Sequence, residues 1–144
     1  MTDRTGPFWD AVAGRAPMPP AARTLGWEFV DVDVDAGTIE VAFTMGEAFL
    51  DVRGHVLGGF VSAMLYDTMG PALIATLPPG RFPSTLDLSA VFLAPAGPGR
   101  FTGTGRVLRR RGDVAFLAAA LHGPDGTVVA TGTATAQIDP PPDR

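Results

Sequence analysis

Apolar and acidic positions alternate along Phe29-Val30-Asp31-Val32-Asp33-Val34-Asp35, which predicts a strand with one face buried and the other in water. Ala36-Gly37 supplies a turn. Ile39, Val41, Phe43 and Met45 then continue the alternation, so the pair predicts an antiparallel hairpin. After Gly58 the period changes: the chain stays apolar for the length of a helix, and between Gly58 and Pro79 only Tyr66 and Asp67 are ionisable. Leu77-Pro78-Pro79-Gly80 is a stop signal for that helix. Four more strands are predicted, over about Pro83 to Leu93, Arg100 to Arg110, Val114 to Leu121 and Thr127 to Ile138, the last entered through the turn Gly123-Pro124-Asp125-Gly126. Near the start, Pro7 to Ala13 predicts a short helix with proline first and Gly14 past its end. A proline-rich connector, Ala16 to Pro20, follows it, and the chain closes on the tail Pro140-Pro141-Pro142. Helix, two strands, one long helix and four strands make an α+β layout, in which a curved antiparallel sheet is covered by one apolar helix.

Composition narrows the field of functions. A chain of 144 residues, 46% apolar and 18% charged, is expected to form one folded domain with a single core. Cysteine is absent, which excludes disulfides, thiolate nucleophiles and thiolate zinc sites. All 11 basic residues are arginine, and lysine and asparagine are both absent, a bias that points to a GC-rich bacterial genome rather than to a function. A net charge of -4 disfavours a nucleic-acid-binding surface. With no charged leader and no uninterrupted apolar run of about 18 residues, a soluble cytoplasmic protein without a membrane partner is expected.

Candidate chemistry gathers on the long helix. A carboxylate among apolar neighbours is costly, and such groups are usually paired, neutralised or functional. Gly58 and Gly59 open the same helix, whose free N–H groups face outward and can stabilise an anion or a developing oxyanion. Pro71 has no N–H, so it frees the carbonyl of Asp67 four residues earlier.

The stretch Gly54-His55-Val56-Leu57-Gly58-Gly59-Phe60, running into Val61-Ser62-Ala63-Met64-Leu65-Tyr66-Asp67-Thr68-Met69-Gly70, resembles the opening of the central helix in hotdog-fold acyl-CoA thioesterases of the phenylacetate-degradation, PaaI-like type. Phe92-Leu93-Ala94-Pro95-Ala96, Arg111-Gly112-Asp113-Val114-Ala115-Phe116 and Asp125-Gly126-Thr127-Val128-Val129-Ala130 follow in the family's order, and the resemblance spans about Leu25 to Ile138. It implies a sheet wrapped around the long helix, self-association as a dimer or tetramer with sheets paired edge to edge, and hydrolysis of an acyl-CoA or acyl-carrier-protein thioester. Neither metal nor cofactor is implied, since coenzyme A enters as part of the substrate.

Residue by residue, the resemblance assigns Gly58 and Gly59 to oxyanion stabilisation and a helix carboxylate of the facing subunit to attack or water activation. Seven residues past Gly59 stands Tyr66, where the family has its acid; Asp67 is one position further, where relatives carry a second, adjacent acid. Leu57 replaces the family's histidine or glutamine, and His55 is a substitute only if the loop bends to bring it there. Asp51, on the loop before the helix, is the alternative acid, and Thr85 matches a hydroxyl that orients water. Arg109, Arg110 and Arg111 resemble a basic edge suited to coenzyme A phosphates. Leu57, Phe60 and Tyr66, with Phe49, Leu50 and Met64, are candidates to line an apolar acyl tunnel. Two other readings remain open: an acyl-CoA-binding domain without catalysis, carried by Leu57 and Tyr66, and a hotdog dehydratase or hydratase, carried by Gly54-His55 and a downstream acid.

Overall fold

The computed structural model describes residues 4–139, so the tail Pro140-Pro141-Pro142 lies outside the described residues. Its elements are α1 (Pro7–Val12), α2 (Pro20–Leu25), β1 (Glu28–Asp33), β2 (Thr38–Met45), a 3-10 turn (Glu47–Phe49), α3 (Gly58–Ile74), β3 (Pro83–Phe92), β4 (Gly99–Arg111), β5 (Val114–His122) and β6 (Val128–Ile138). The six strands form one antiparallel sheet in the order β1-β2-β4-β5-β6-β3. α3 packs against β2, β3, β4, β5 and β6. This is the hotdog arrangement that the resemblance implied. No described helix is long and apolar enough to cross a membrane.

Two predicted features differ in detail. The connector after α1 leads into a second short helix, α2, which starts with Pro20 at a position that needs no N–H and ends at Gly26 in the left-handed region (φ 66). Strand β1 stops at Asp33, and its register slips between Phe29 and Asp31. The bulge leaves Val30 exposed and brings Phe29 and Val32 onto the face that packs against the core, so the apparent seven-residue alternation is broken by one extra residue.

Close approach of α3 to the sheet rests on missing side chains. Thr68, on the sheet-facing side of the helix, is fully buried and donates its hydroxyl to the Met64 carbonyl at 2.7 Å. Beneath it lie Gly103 and Gly105 of β4. A Cβ on Gly103 would collide with the Thr68 hydroxyl, and one on Gly105 would stand 2.7 Å from the Thr68 carbonyl oxygen. Only glycine admits the helix at this depth. Around that contact Val61, Met64, Leu65, Met69, Ala72 and Leu73 of α3 meet Val41, Phe43, Phe101, Leu117, Leu121 and Ala130 of the sheet in one core.

Candidate active site

Loop 50–57 delivers the chain to α3. An isolated bridge joins Leu50 to Val56, and the turn between them is held by Asp51. The Asp51 carboxylate accepts the backbone N–H groups of Arg53 at 2.8 Å and His55 at 3.1 Å, while the Asp51 N–H donates to the His55 carbonyl at 2.7 Å. Those amides, that of His55 first, hold the Asp51 carboxyl below its ordinary range. A carboxylate so engaged is a weak base, and its geometry is that of a loop tether. His55 completes the tether through its backbone; its side-chain Nδ1 is buried without a hydrogen-bond partner among the described residues.

Leu57 takes the N-cap position with extended backbone and offers no side-chain cap. Its carbonyl accepts the N–H groups of Phe60 and Val61, whereas those of Gly58 and Gly59 donate to no group among the described residues. The ring of Phe92, at the end of β3, lies 3.5 Å from where a Gly58 Cβ would stand, and nothing lies within 4 Å of the corresponding point on Gly59. One wall of the helix entrance is therefore aromatic and the other is open. Two unengaged amides at a helix N-terminus can receive a carbonyl oxygen as it gains negative charge.

Asp67 lies in the middle of α3, and burial alone lifts its carboxyl to about 6; no charged group among the described residues shifts it. Its backbone carbonyl, released by Pro71, accepts the indole Nε1 of Trp27 at 2.9 Å. By helical spacing Gly59, Ser62, Ala63, Tyr66 and Gly70 form one stripe, on which Gly59 and Tyr66 are exposed. Asp67 is turned about 100 degrees from Tyr66, toward the flank where the Phe60 ring meets Phe49 edge to face at 4.8 Å. Asp67 borders the open stripe through Ala63 and Gly70, whose small side chains leave the border accessible. Gly59 and Asp67 are eight residues apart, about 12 Å along the helix, too far to act on one carbonyl from the same chain.

The remaining candidates sit elsewhere. Across the sheet, Phe92 shares a row with Ala130, Leu121 and Gly103, whereas Thr85 shares one with Ala136, Ala115 and Arg110. Those rows are seven β3 residues apart, about 23 Å. Within one chain, then, Thr85 and the exposed cluster Arg109, Arg110 and Arg111 stand at the opposite end of the sheet from Gly58; Arg110 donates Nε to the Gly112 carbonyl at 3.1 Å. Of the apolar candidates, Met64 is core, Phe49 and Leu50 are partly buried, Phe60 packs on Phe49, and Leu57 and Tyr66 are each 49% exposed. Trp27, Thr68 and Phe92 carried no sequence signal of a role at this site. For Trp27 the clue was Pro71: a freed carbonyl inside an apolar helix needs a donor from elsewhere.

Comparison with known proteins places this chain in a family. The profile of the acyl-CoA thioesterase N-terminal domain matches residues 49–137. The crystal structure of a phenylacetic acid degradation-related protein of Ralstonia eutropha is similar at 40% identity, covering 90% of this chain and 98% of that one with a TM-score of 0.87. A thioesterase family protein of Silicibacter pomeroyi (23% identity, 92% and 98% covered, TM-score 0.79) and PaaI of Escherichia coli (16% identity, 93% and 94% covered, TM-score 0.81) share the fold. A comparison with curated proteins gave no match.

Proposed function

The chain belongs to the acyl-CoA thioesterase family of PaaI-like hotdog proteins and is a thiolester hydrolase, and from that premise we propose that it hydrolyses an acyl-CoA at a site completed by a second copy of itself. Gly58 and Gly59 of one copy receive the thioester oxygen, and Asp67 of the other activates water or attacks the carbonyl carbon. The observation that carries this reading is the occurrence, on one helix, of two unengaged helix-start amides and a desolvated carboxyl with no partner among the described residues, about 12 Å apart and so too far apart to serve one carbonyl within one chain.

Chemistry follows from the environments. A carboxyl titrating at about 6 is ionised at neutral pH, yet is more basic than a solvated aspartate, which suits proton removal from water. Negative charge that builds on the carbonyl oxygen meets the glycine amides, and its collapse expels the coenzyme A thiolate. Covering the site is the task of the second copy. Strand β3 is a free edge, and Leu86, Val91, Phe92 and Leu93 along it are 53–61% exposed, as Leu57 and Tyr66 are in part beside it. Pairing of this edge with its equivalent turns the sheet ends around, so that the arginine turn of one copy comes to the end where the other has Gly58.

Release of free coenzyme A, measured over aryl and aliphatic acyl-CoAs for the wild type and Asp67→Asn, tests the proposal. Asp67→Asn is expected to lower kcat by roughly 100-fold or more, the scale of a lost general base. A second reading is favoured by the place of Tyr66 on the open stripe itself: a thioester lying there meets a phenol rather than a carboxylate. Undiminished kcat in Asp67→Asn supports that reading, and binding of acyl-CoA without turnover by the wild type supports an acyl-CoA-binding role.

A further inference from the structure

The gap in the hydrogen-bond ladder of α3 falls at its acid. Pro71 cannot donate to the carbonyl of Asp67, and a buried carbonyl without a partner is unfavourable. The missing bond is supplied from 40 residues earlier in the chain, where the Trp27 indole donates to that oxygen at 2.9 Å. Trp27 is itself held on several sides: its N–H donates to Ala22 of α2 at 2.9 Å, the edge of the Phe8 ring stands against it at 6.4 Å, and 8% of its surface is exposed. Gly26 before it takes a left-handed turn against the Thr44 backbone, with a would-be Cβ 3.0 Å from the Thr44 nitrogen. The indole is thus a rigid, non-local donor aimed at one peptide group of the helix.

We propose that Trp27 is a positioning residue for Asp67, holding the peptide whose helical partner Pro71 removes so that the carboxyl keeps its orientation and its shelter from water. The role rests on the reading of Asp67 as the working carboxylate. Ordinary helix bonding ties every interior carbonyl to an amide of the same helix; here the acid's own carbonyl is tied to α2 and the start of β1 instead. Small shifts of that flank move the carboxyl without altering the glycine amides. Among the charged groups of the described residues, none from α2, β1, β2 or β4 shifts the Asp67 carboxyl, so its acidity depends on how closely its apolar neighbours are packed.

Trp27→Phe keeps an aromatic ring and removes the donor. It is expected to lower kcat about tenfold, to leave KM within about twofold, and to move the acid limb of the kcat profile down toward the usual carboxylate range as water reaches Asp67. Pro71→Ala restores an N–H four residues after Asp67, so Trp27→Phe with Pro71→Ala should recover most of the lost kcat and return the acid limb. In the Asp67→Asn background, Trp27→Phe should cost nothing further. The inference is overturned if Asp67→Asn abolishes turnover while folded Trp27→Phe keeps the wild-type kcat and pH limb, or if the double variant folds and recovers neither. Full kcat in Asp67→Asn itself overturns both this role and the reading beneath it.

Discussion

Asp67 ionises at about 6 in the folded chain, against 3.8 for the unperturbed side chain, and burial is the cause. The folded state therefore holds the proton more tightly than the unfolded state. Any stability gained from the neutral carboxyl is fully present below 3.8 and is lost as pH rises through about 6. Asp67→Asn removes the ionisation, so it should melt above the wild type at pH 8 by an amount worth up to about 3 kcal/mol, and level with it at pH 4. Thermal unfolding at the two pH values checks this; a variant less stable than wild type at pH 8 would show a satisfied carboxylate. Asp51 has the opposite sign, its carboxylate being held down by the His55 and Arg53 amides. Asp51→Asn keeps an oxygen to accept those amides and should leave kcat within about threefold, whereas Asp51→Ala should loosen the loop. The sequence put Asp67 first and left Asp51 open as the alternative, because spacing reports neither burial nor hydrogen bonds. Tyr66 at the family's acid position was legible from counting alone; the flank to which Asp67 turns was not, because it depends on where Phe49 and Trp27 pack.

Among the elements, α3 and β4 are coupled through Thr68. A methyl group on Gly103 collides with the Thr68 hydroxyl, a side chain that can be shortened, whereas one on Gly105 meets the Thr68 backbone, which cannot. Gly103→Ala and Gly105→Ala should each destabilise by roughly 1–3 kcal/mol in urea unfolding. Thr68→Ala should relieve the first and not the second, a non-additivity that equal costs in both double variants would contradict. The strands and α3 were legible because period two and an unbroken apolar run are strong signals, and Pro and Gly mark their ends. Helix α2 was hidden because its prolines read as a connector, although Pro20 in fact starts the helix. Bulges at Val30, Leu86 and Leu108 were hidden for another reason: an extra residue in a strand changes register without changing composition.

At the scale of the whole molecule, the proposed shared site requires self-association, for which the β3 edge and its exposed apolar residues offer a surface, and sedimentation at low micromolar concentration should show no monomer. A compact, active monomer would end that account. In the proposed pairing Arg109, Arg110 and Arg111 of one copy come to the glycines of the other, so replacing all three with Ala should raise KM for acyl-CoA and flatten its salt dependence with little change in kcat. Fold and family were legible from the order of motifs. The proposed division of one site between two chains entered through the resemblance, which puts the carboxylate on the facing subunit, and the eight helical residues from Gly59 to Asp67, about 12 Å, agree with it. Complementation tests that division most directly. Gly59→Val has room within its own chain and blocks the amides, while Asp67→Asn removes the carboxyl; each alone should be inactive. Unfolded together and refolded as mixed dimers, they should regain about a quarter of wild-type turnover, since half the dimers are mixed and each mixed dimer rebuilds one site of two. Recovery near that level is the result expected of a shared site, and mixed dimers as inactive as either parent would contradict it.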